Sequence, residues 1–479
     1  MPDPIVTTTE GTVRGSLSGD VRRFLAIPYA APPKEAGRFS PPRPHEPWTG
    51  VRDARSPGPT APQPLRDAFG ALDMSPYFGP GWIRGDDYLT VNVWAPREAG
   101  RSPVMVFAHG GGFVAGSTRA ALYDGAAFAR DGVILVTINY RLGIAGFLDL
   151  PGAPRNRGLL DVVAALGWVR RNIEAFGGDP GNVTLFGQSA GATTVAGILA
   201  TPEAEGLFRR AIVQSGNGLG AFSPEQAARV TRAAATALGV APTAAGFARV
   251  PGERLVEVMP ALGGLDLRTA DRFDPLVGLS PFSLVLERQP AESRRADVGL
   301  LIGTNAEEGN LYLAPQGNLT TSTAEDVHES AARAHADPGN LVAAYQARRP
   351  GAGHGELRSA ILGDALFGVG SRRLAEAHGD AYVYEFAWRS PAVDGRLGAA
   401  HSAELPFVFD RLDLPALRGP RGLLGPAEPP ASLAKEMHAA WISFARTGDP
   451  GWPRFGRDQR IRRFDTVSTI TTPPDLSAW

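Results

Sequence analysis

The chain has 479 residues, is 43 % hydrophobic and 20 % charged, and carries a formal net charge of −1. This composition supports a large buried core and excludes a disordered class, and the near-zero charge removes any whole-protein attraction to nucleic acid or an anionic membrane. With no cysteine, disulfides, thiolate metal sites and a cysteine nucleophile are all excluded.

No apolar run approaches eighteen residues, so no membrane span is expected. Met1-Pro2-Asp3-Pro4-Ile5-Val6 lacks the basic and apolar regions of a secretory leader, and the chain reads as soluble and cytoplasmic. Residues 4–27 alternate apolar and polar side chains around Glu10-Gly11, a meander of short strands. Prolines crowd 32–64, which reads as extended loop, and the aperiodic 64–85 reads as a mobile loop. Asp86 to Trp94 returns to strand alternation. The continuous apolar runs Val104–Ala108 and Val133–Ile138 suit strands buried on both faces, with a helix-compatible stretch, 121–130, between them.

Helical spacing over 159–176 ends at Gly177-Gly178-Asp179-Pro180. A strand over 183–186, a helix over 190–199 and a strand over 211–214 follow. Strands alternating with helices predict a parallel sheet. Residues 223–286 carry no clear core strand; strands resume at 298–303 and 381–386, helices fill 323–378, and a packing helix spans 433–446. No repeat or linker divides the chain. The expected architecture is one α/β domain over 1–479, a mostly parallel sheet flanked by helices, with a helical cap inserted around 218–290.

Chemistry concentrates at three places. Gly187-Gln188-Ser189-Ala190-Gly191 has the G-x-S-x-G pattern, placed where a strand should turn into a helix. Glycine-rich chains reach such a pattern by chance, so its context decides. A serine nucleophile needs a histidine base, a carboxylate to orient it, and backbone N–H groups facing the developing oxyanion. His109-Gly110-Gly111-Gly112 follows an early strand and can present such N–H groups, with that of Ala190. Glu307-Glu308 follows the 298–303 strand, and His401 follows the 381–386 strand. Either glutamate could orient the histidine. His328, His335, His354 and His378 lie in polar stretches and read as surface residues; His438 reads as packing or facing solvent, and His45 sits in the proline loop. The two lysines, Lys34 and Lys435, do not follow glycine, and no H-E-x-x-H occurs, so neither a phosphate-binding loop nor a zinc motif is present.

Phe24-Leu25-Ala26-Ile27-Pro28-Tyr29-Ala30, Arg38-Phe39, Asn139-Tyr140-Arg141-Leu142-Gly143, Gly158-Leu159-Leu160-Asp161, Phe176-Gly177-Gly178-Asp179-Pro180, the serine motif and Gln214-Ser215-Gly216 run nearly end to end. On these stretches the chain resembles the type-B carboxylesterase family of α/β-hydrolases, which includes cholinesterases and bacterial p-nitrobenzyl esterases. The resemblance implies an α/β-hydrolase fold and hydrolysis of carboxylic esters through an acyl-enzyme. It implies Ser189 as nucleophile, Glu308 as acid, His401 as base, and Gly111, Gly112 and Ala190 as oxyanion donors. No metal or cofactor is expected; the partner is a small-molecule ester, and a monomer is favoured. Carbamate or amide hydrolysis is the alternative within this chemistry, and a non-catalytic binding module the alternative outside it.

The resemblance also implies ion pairs Arg38–Asp86 and Arg141–Asp161, and reads Glu404 as support behind the base. Three features depart from the family. Gln188 stands where a glutamate is frequent. Tyr88 stands where secreted members have a cysteine, so no disulfide closes 64–85. No cation site of the cholinesterase kind is found by motif.

Overall fold

The computed structural model describes residues 2–293 and 297–479. The chain opens with β1 (Ile5–Thr7), β2 (Thr12–Arg14), β3 (Ser16–Ser18) and β4 (Val21–Pro28), then β5 (Val51–Asp53) and a hairpin of β6 (Ala68–Phe69) and β7 (Leu72–Asp73). β8 (Thr90–Pro96), β9 (Ser102–Ala108), β10 (Ile134–Ile138), β11 (Gly178–Gln188) and β12 (Arg210–Gln214) follow. The last strands are β13 (Gly299–Asn305), β14 (Tyr382–Phe386), β15 (Ile461–Phe464) and β16 (Thr469–Thr471).

Among the described residues eleven strands form one sheet in the order β16-β15-β14-β13-β12-β11-β9-β10-β8-β4-β3. The centre, from β15 through β10, is parallel. β8 runs antiparallel to both β10 and β4, and β16 antiparallel to β15, so the sheet is mixed at its edges.

The central strands are apolar throughout because both faces are covered. Val104 and Val106 point into one core with Val183, Leu185, Leu300 and Ile302. Met105 and Phe107 point into the other with Phe186, Ile212 and Leu301. Helices Arg157–Asn172 and Ala190–Leu199 pack on the first face, and Ala431–Thr447 seats Met437, Trp441 and Phe444 in the second. Register then levels the strand ends. Gly187 pairs with Ala108 and Val213, Val213 with Ile302, and Ile302 with Val383. The loops leaving β9, β11, β12, β13 and β14 therefore emerge along one edge, where ligands of open α/β sheets bind.

The predicted helix 159–176 is an α-helix over Arg157–Asn172 closed by a 3₁₀ turn to Phe176, with Gly177 left-handed at φ 87°. Between 218 and 290 the structure holds helices Pro224–Leu238, Ala244–Ala248 and Gly252–Val258, and no strand of the large sheet. The segment 64–85 is not the loop its aperiodicity suggests. It forms the β6–β7 hairpin and a turn of helix at Ser75–Phe78, with Leu72, Met74 and Tyr77 buried. Backbone bonds from Ala71 to Pro315 and from Asp73 to Arg421 tie it down. Strands β15 and β16 carry no alternation long enough to be read from sequence.

Arg141 and Asp161 form the expected ion pair, fully buried at 2.7 Å. The pair expected between Arg38 and Asp86 is not formed: Arg38 donates to the carbonyl of Val250 at 2.7 Å, and exposed Asp86 faces Lys34 at 3.9 Å. No helix among the described residues is long and apolar enough to cross a membrane.

Candidate active site

β11 runs straight into Ser189 and the helix Ala190–Leu199. Ser189 has φ 56° and ψ −124°, a strained conformation for a residue with a side chain. Two glycines permit it. A Cβ on Gly191 would lie 2.1 Å from the Ala108 carbonyl oxygen, and one on Gly187 would lie 2.7 Å from the Gly191 carbonyl carbon. The turn is held by Ser189 N–H donating to the Gln214 carbonyl at 2.9 Å and by Thr193 N–H donating to the Ser189 carbonyl at 2.8 Å.

The glycine run after β9 lies against this turn. Gly111 and Gly112 have φ of 118° and 62°, and a Cβ on Gly111 would collide with the Ala115 carbonyl oxygen at 1.9 Å. The backbone N–H groups of Gly111, Gly112 and Ala190 donate to no protein acceptor among the described residues. His109 anchors the run from behind. Its ring stacks on Tyr140 at 4.5 Å, its Nδ1–H donates to the Gly110 carbonyl at 2.8 Å, and the Tyr140 hydroxyl donates to its carbonyl at 2.5 Å. Burial pushes the His109 pKa down to about 4, so this imidazole stays neutral.

Glu308 and His401 meet on the other side. His401 Nδ1–H donates to Glu308 Oε2 at 2.7 Å, and both side chains are nearly inaccessible. The other oxygen, Oε1, accepts from Ser215 Oγ at 2.5 Å and from the Asn305 backbone N–H at 2.7 Å. Both oxygens of this carboxylate are thereby engaged. Glu307 turns away and pairs with Arg389 and the Ala399 N–H, which separates the two glutamates that residue chemistry alone left open and the resemblance resolved toward Glu308. Glu404 lies behind, accepting from Asn305 Nδ2 at 2.8 Å and Gln214 Nε2 at 3.3 Å. Burial, then the charge of Glu308, pushes Glu404 up to about 7. The two carboxylates thus differ in surroundings: Glu308 accepts three hydrogen bonds, and Glu404 is the one that burial pushes toward protonation.

With Nδ1 protonated toward Glu308, His401 Nε2 is an acceptor, and the Gln188 amide donates to it at 3.2 Å and to Ser402 Oγ at 3.0 Å. Phe367 stacks on the imidazole at 4.3 Å with the planes 10° apart, and Tyr312 lies beyond at 5.9 Å. Ser189, Ala190, Gly110–Gly112, Gln188 and His401 all face one open cleft. Its walls are largely apolar, from Phe69, Phe78, Leu276, Leu279, Leu311 and Phe367. All six residues expected at the site therefore meet in one place. Ser215, Tyr312 and Phe367 went unassigned in the sequence. Ser215 had a signal, a polar residue ending a buried strand beside the acid strand; the two rings, on helical segments far along the chain, had none. His438, read as packing or solvent-facing, packs: it is buried with Nδ1 on the Val408 carbonyl.

The carboxylesterase family model matches residues 2–467. The chain belongs to the carboxylesterase family. It is 35 % identical to the para-nitrobenzyl esterase of Bacillus subtilis over 99 % of this chain and 97 % of that one. It is 36 % identical to the phenmedipham hydrolase of Pseudarthrobacter oxydans, over 95 % and 93 % of the two chains. Among solved structures it superposes on a Geobacillus stearothermophilus carboxylesterase with a TM-score of 0.85 at 33 % identity, covering 99 % of each chain. A p-nitrobenzyl esterase structure gives 0.82 at 33 % identity, covering 99 % and 98 %. The fold is that of the α/β-hydrolases, and this carboxylesterase is a carboxylic ester hydrolase.

Proposed function

We propose that Ser189, His401 and Glu308 form the catalytic triad of this esterase, with the N–H groups of Gly111, Gly112 and Ala190 as its oxyanion hole. The observation that carries this reading is the Glu308 carboxylate bonded to His401 Nδ1, which leaves the Nε2 lone pair turned toward the elbow. Ser189 Oγ attacks the ester carbonyl while its proton passes to His401 Nε2, taking the lone pair that the Gln188 amide otherwise occupies. The carbonyl oxygen becomes an oxyanion against the three free N–H groups, where each donor contributes about 10²–10³ in rate. His401 then protonates the departing alcohol. In the second half water gives its proton to Nε2, attacks the acyl carbonyl and releases the acid, restoring Ser189. Glu308 holds the imidazole tautomer and stabilises the imidazolium.

The segment between 218 and 290 supports a reading of 1–479 as one domain with a cap, since Leu276, Leu279 and Ser280, in the coil after its helices, reach the cleft from there. Esters are the leading substrates; comparing ester, carbamate and anilide rates on one aromatic scaffold ranks the alternatives. Ser189→Ala tests the triad directly. Turnover of 4-nitrophenyl butyrate should fall by about 10⁴–10⁶, and retention of most of it would overturn the assignment.

A further inference from the structure

The cleft holds a charge that the reaction as described does not use. Arg66 lies in the segment leading to the β6–β7 hairpin and lines the cleft beside the glycine run. A Cβ on Gly112 would sit 3.4 Å from Arg66 Nη1, and the guanidinium lies 5.9 Å from the centre of the Phe78 ring. The fully buried guanidinium groups of Arg141 and Arg157 are, by contrast, well partnered. Arg141 meets Asp161, and Arg157 donates to the carbonyls of Ile144, Ala145, Leu148 and Pro154. Arg66 has no ion-pair or hydrogen-bond partner among the described residues.

Nothing else lining the cleft offsets this charge. Gln188 is an amide, His401 turns Nδ1 toward Glu308, and Glu308 is sealed behind the imidazole. The remaining lining is polar-neutral or apolar. Burial alone lowers the Arg66 pKa, with no carboxylate acting on it; a guanidinium nevertheless stays protonated at neutral pH. An unpaired cation against apolar walls is an unfavourable arrangement that a ligand anion relieves, and the low local dielectric strengthens the attraction.

We propose that Arg66 is a carboxylate-binding residue of the substrate cleft, and that the preferred esters carry a free carboxylate on their acyl or alcohol part, within reach of Gly112. Its planar fork suits bidentate capture of a carboxylate. The proposal rests on the reading of Ser189 as the nucleophile of this same cleft.

Two matched substrate pairs test it. Mono-4-nitrophenyl adipate against 4-nitrophenyl adipamate places the charge on the acyl side; 3-carboxyphenyl butyrate against 3-carbamoylphenyl butyrate places it on the alcohol side. In the wild type at least one carboxylate should exceed its amide in kcat/KM by about 10- to 100-fold, mainly through KM. Arg66→Gln should collapse that ratio toward one, Arg66→Lys should retain part of it, and 0.5 M salt should reduce it. Ratios near one for both pairs in the wild type, or ratios that Arg66→Gln leaves intact, would overturn the proposal. So would an equal loss by Arg66→Gln on charged and neutral members, which would make Arg66 a general stabiliser of the oxyanion. Melting temperatures of both variants exclude misfolding as the cause. 4-Nitrophenyl butyrate is the separate control: failure of Ser189→Ala to abolish its turnover sinks the triad and not the charge preference.

Discussion

The imidazole of His401 lies flat on the ring of Phe367, with centroids 4.3 Å apart and planes inclined by 10°. Glu308 fixes the imidazole at one edge, and Phe367 fixes its plane, so Nε2 is aimed by two independent contacts. Phe367→Ala should lower kcat for 4-nitrophenyl butyrate by about 10- to 100-fold with a smaller change in KM, because a misdirected base loses near-attack geometry. Phe367→Leu should recover part of that loss. Steady-state kinetics of both variants check this.

The two adjacent glutamates should separate cleanly. Glu308→Gln removes the acceptor that holds His401 in its working tautomer and should reduce kcat by about 10³–10⁴. Glu307→Gln disturbs a partly exposed pair with Arg389 and should leave kcat/KM within about twofold. Equal losses in the two variants would contradict the assignment of Glu308.

Gln188→Glu would place a carboxylate where an amide now lies 3.2 Å from His401 Nε2. A neighbouring negative charge favours the imidazolium form of the base. The acid limb of the kcat/KM–pH profile reports deprotonation of that base. It should therefore move to higher pH, with most of the loss at pH 6 and little at pH 8.

His109 should make stability depend on pH. Its folded pKa, about 4, lies below the ordinary histidine value, so below pH 6.5 the unfolded chain binds a proton that the folded chain refuses. Its contribution is fully present above pH 6.5 and is lost as the pH falls toward 4, on the order of 1–3 kcal/mol in all. Urea unfolding between pH 4.5 and 7.5 should show a shallower decline for His109→Gln than for the wild type.

The buried and exposed ion pairs should respond oppositely to substitution. Asp161→Asn strands the fully buried Arg141 guanidinium and should cost about 3–5 kcal/mol. Asp86→Asn touches only the long, exposed contact to Lys34 and should cost less than about 0.5 kcal/mol. Midpoints of urea denaturation discriminate the two.

The site was legible where local sequence carries its own physics. Gly187 and Gly191 are needed wherever a strand must turn into a helix this tightly, and the buried runs of β9, β10 and β13 report two covered faces. Ser189, the Gly110–Gly112 run and His401 could be named because each ends or follows such a run. Local sequence could not choose between Glu307 and Glu308, since neighbours in a turn point to opposite sides and only the Ser215 and Asn305 donors reveal which faces the histidine. Nor could it expose Phe367 or Tyr312, whose stacking on His401 joins helical segments to a loop beyond β14. The 64–85 segment misled because its order comes from partners at Pro315 and Arg421, not from its own periodicity. Sequence by itself determined the nucleophile turn, the alternating α/β order and the family. Tertiary structure alone decided which ring supports the base and that Arg66 stands unpaired in the cleft, because each depends on distances between residues far apart in the chain.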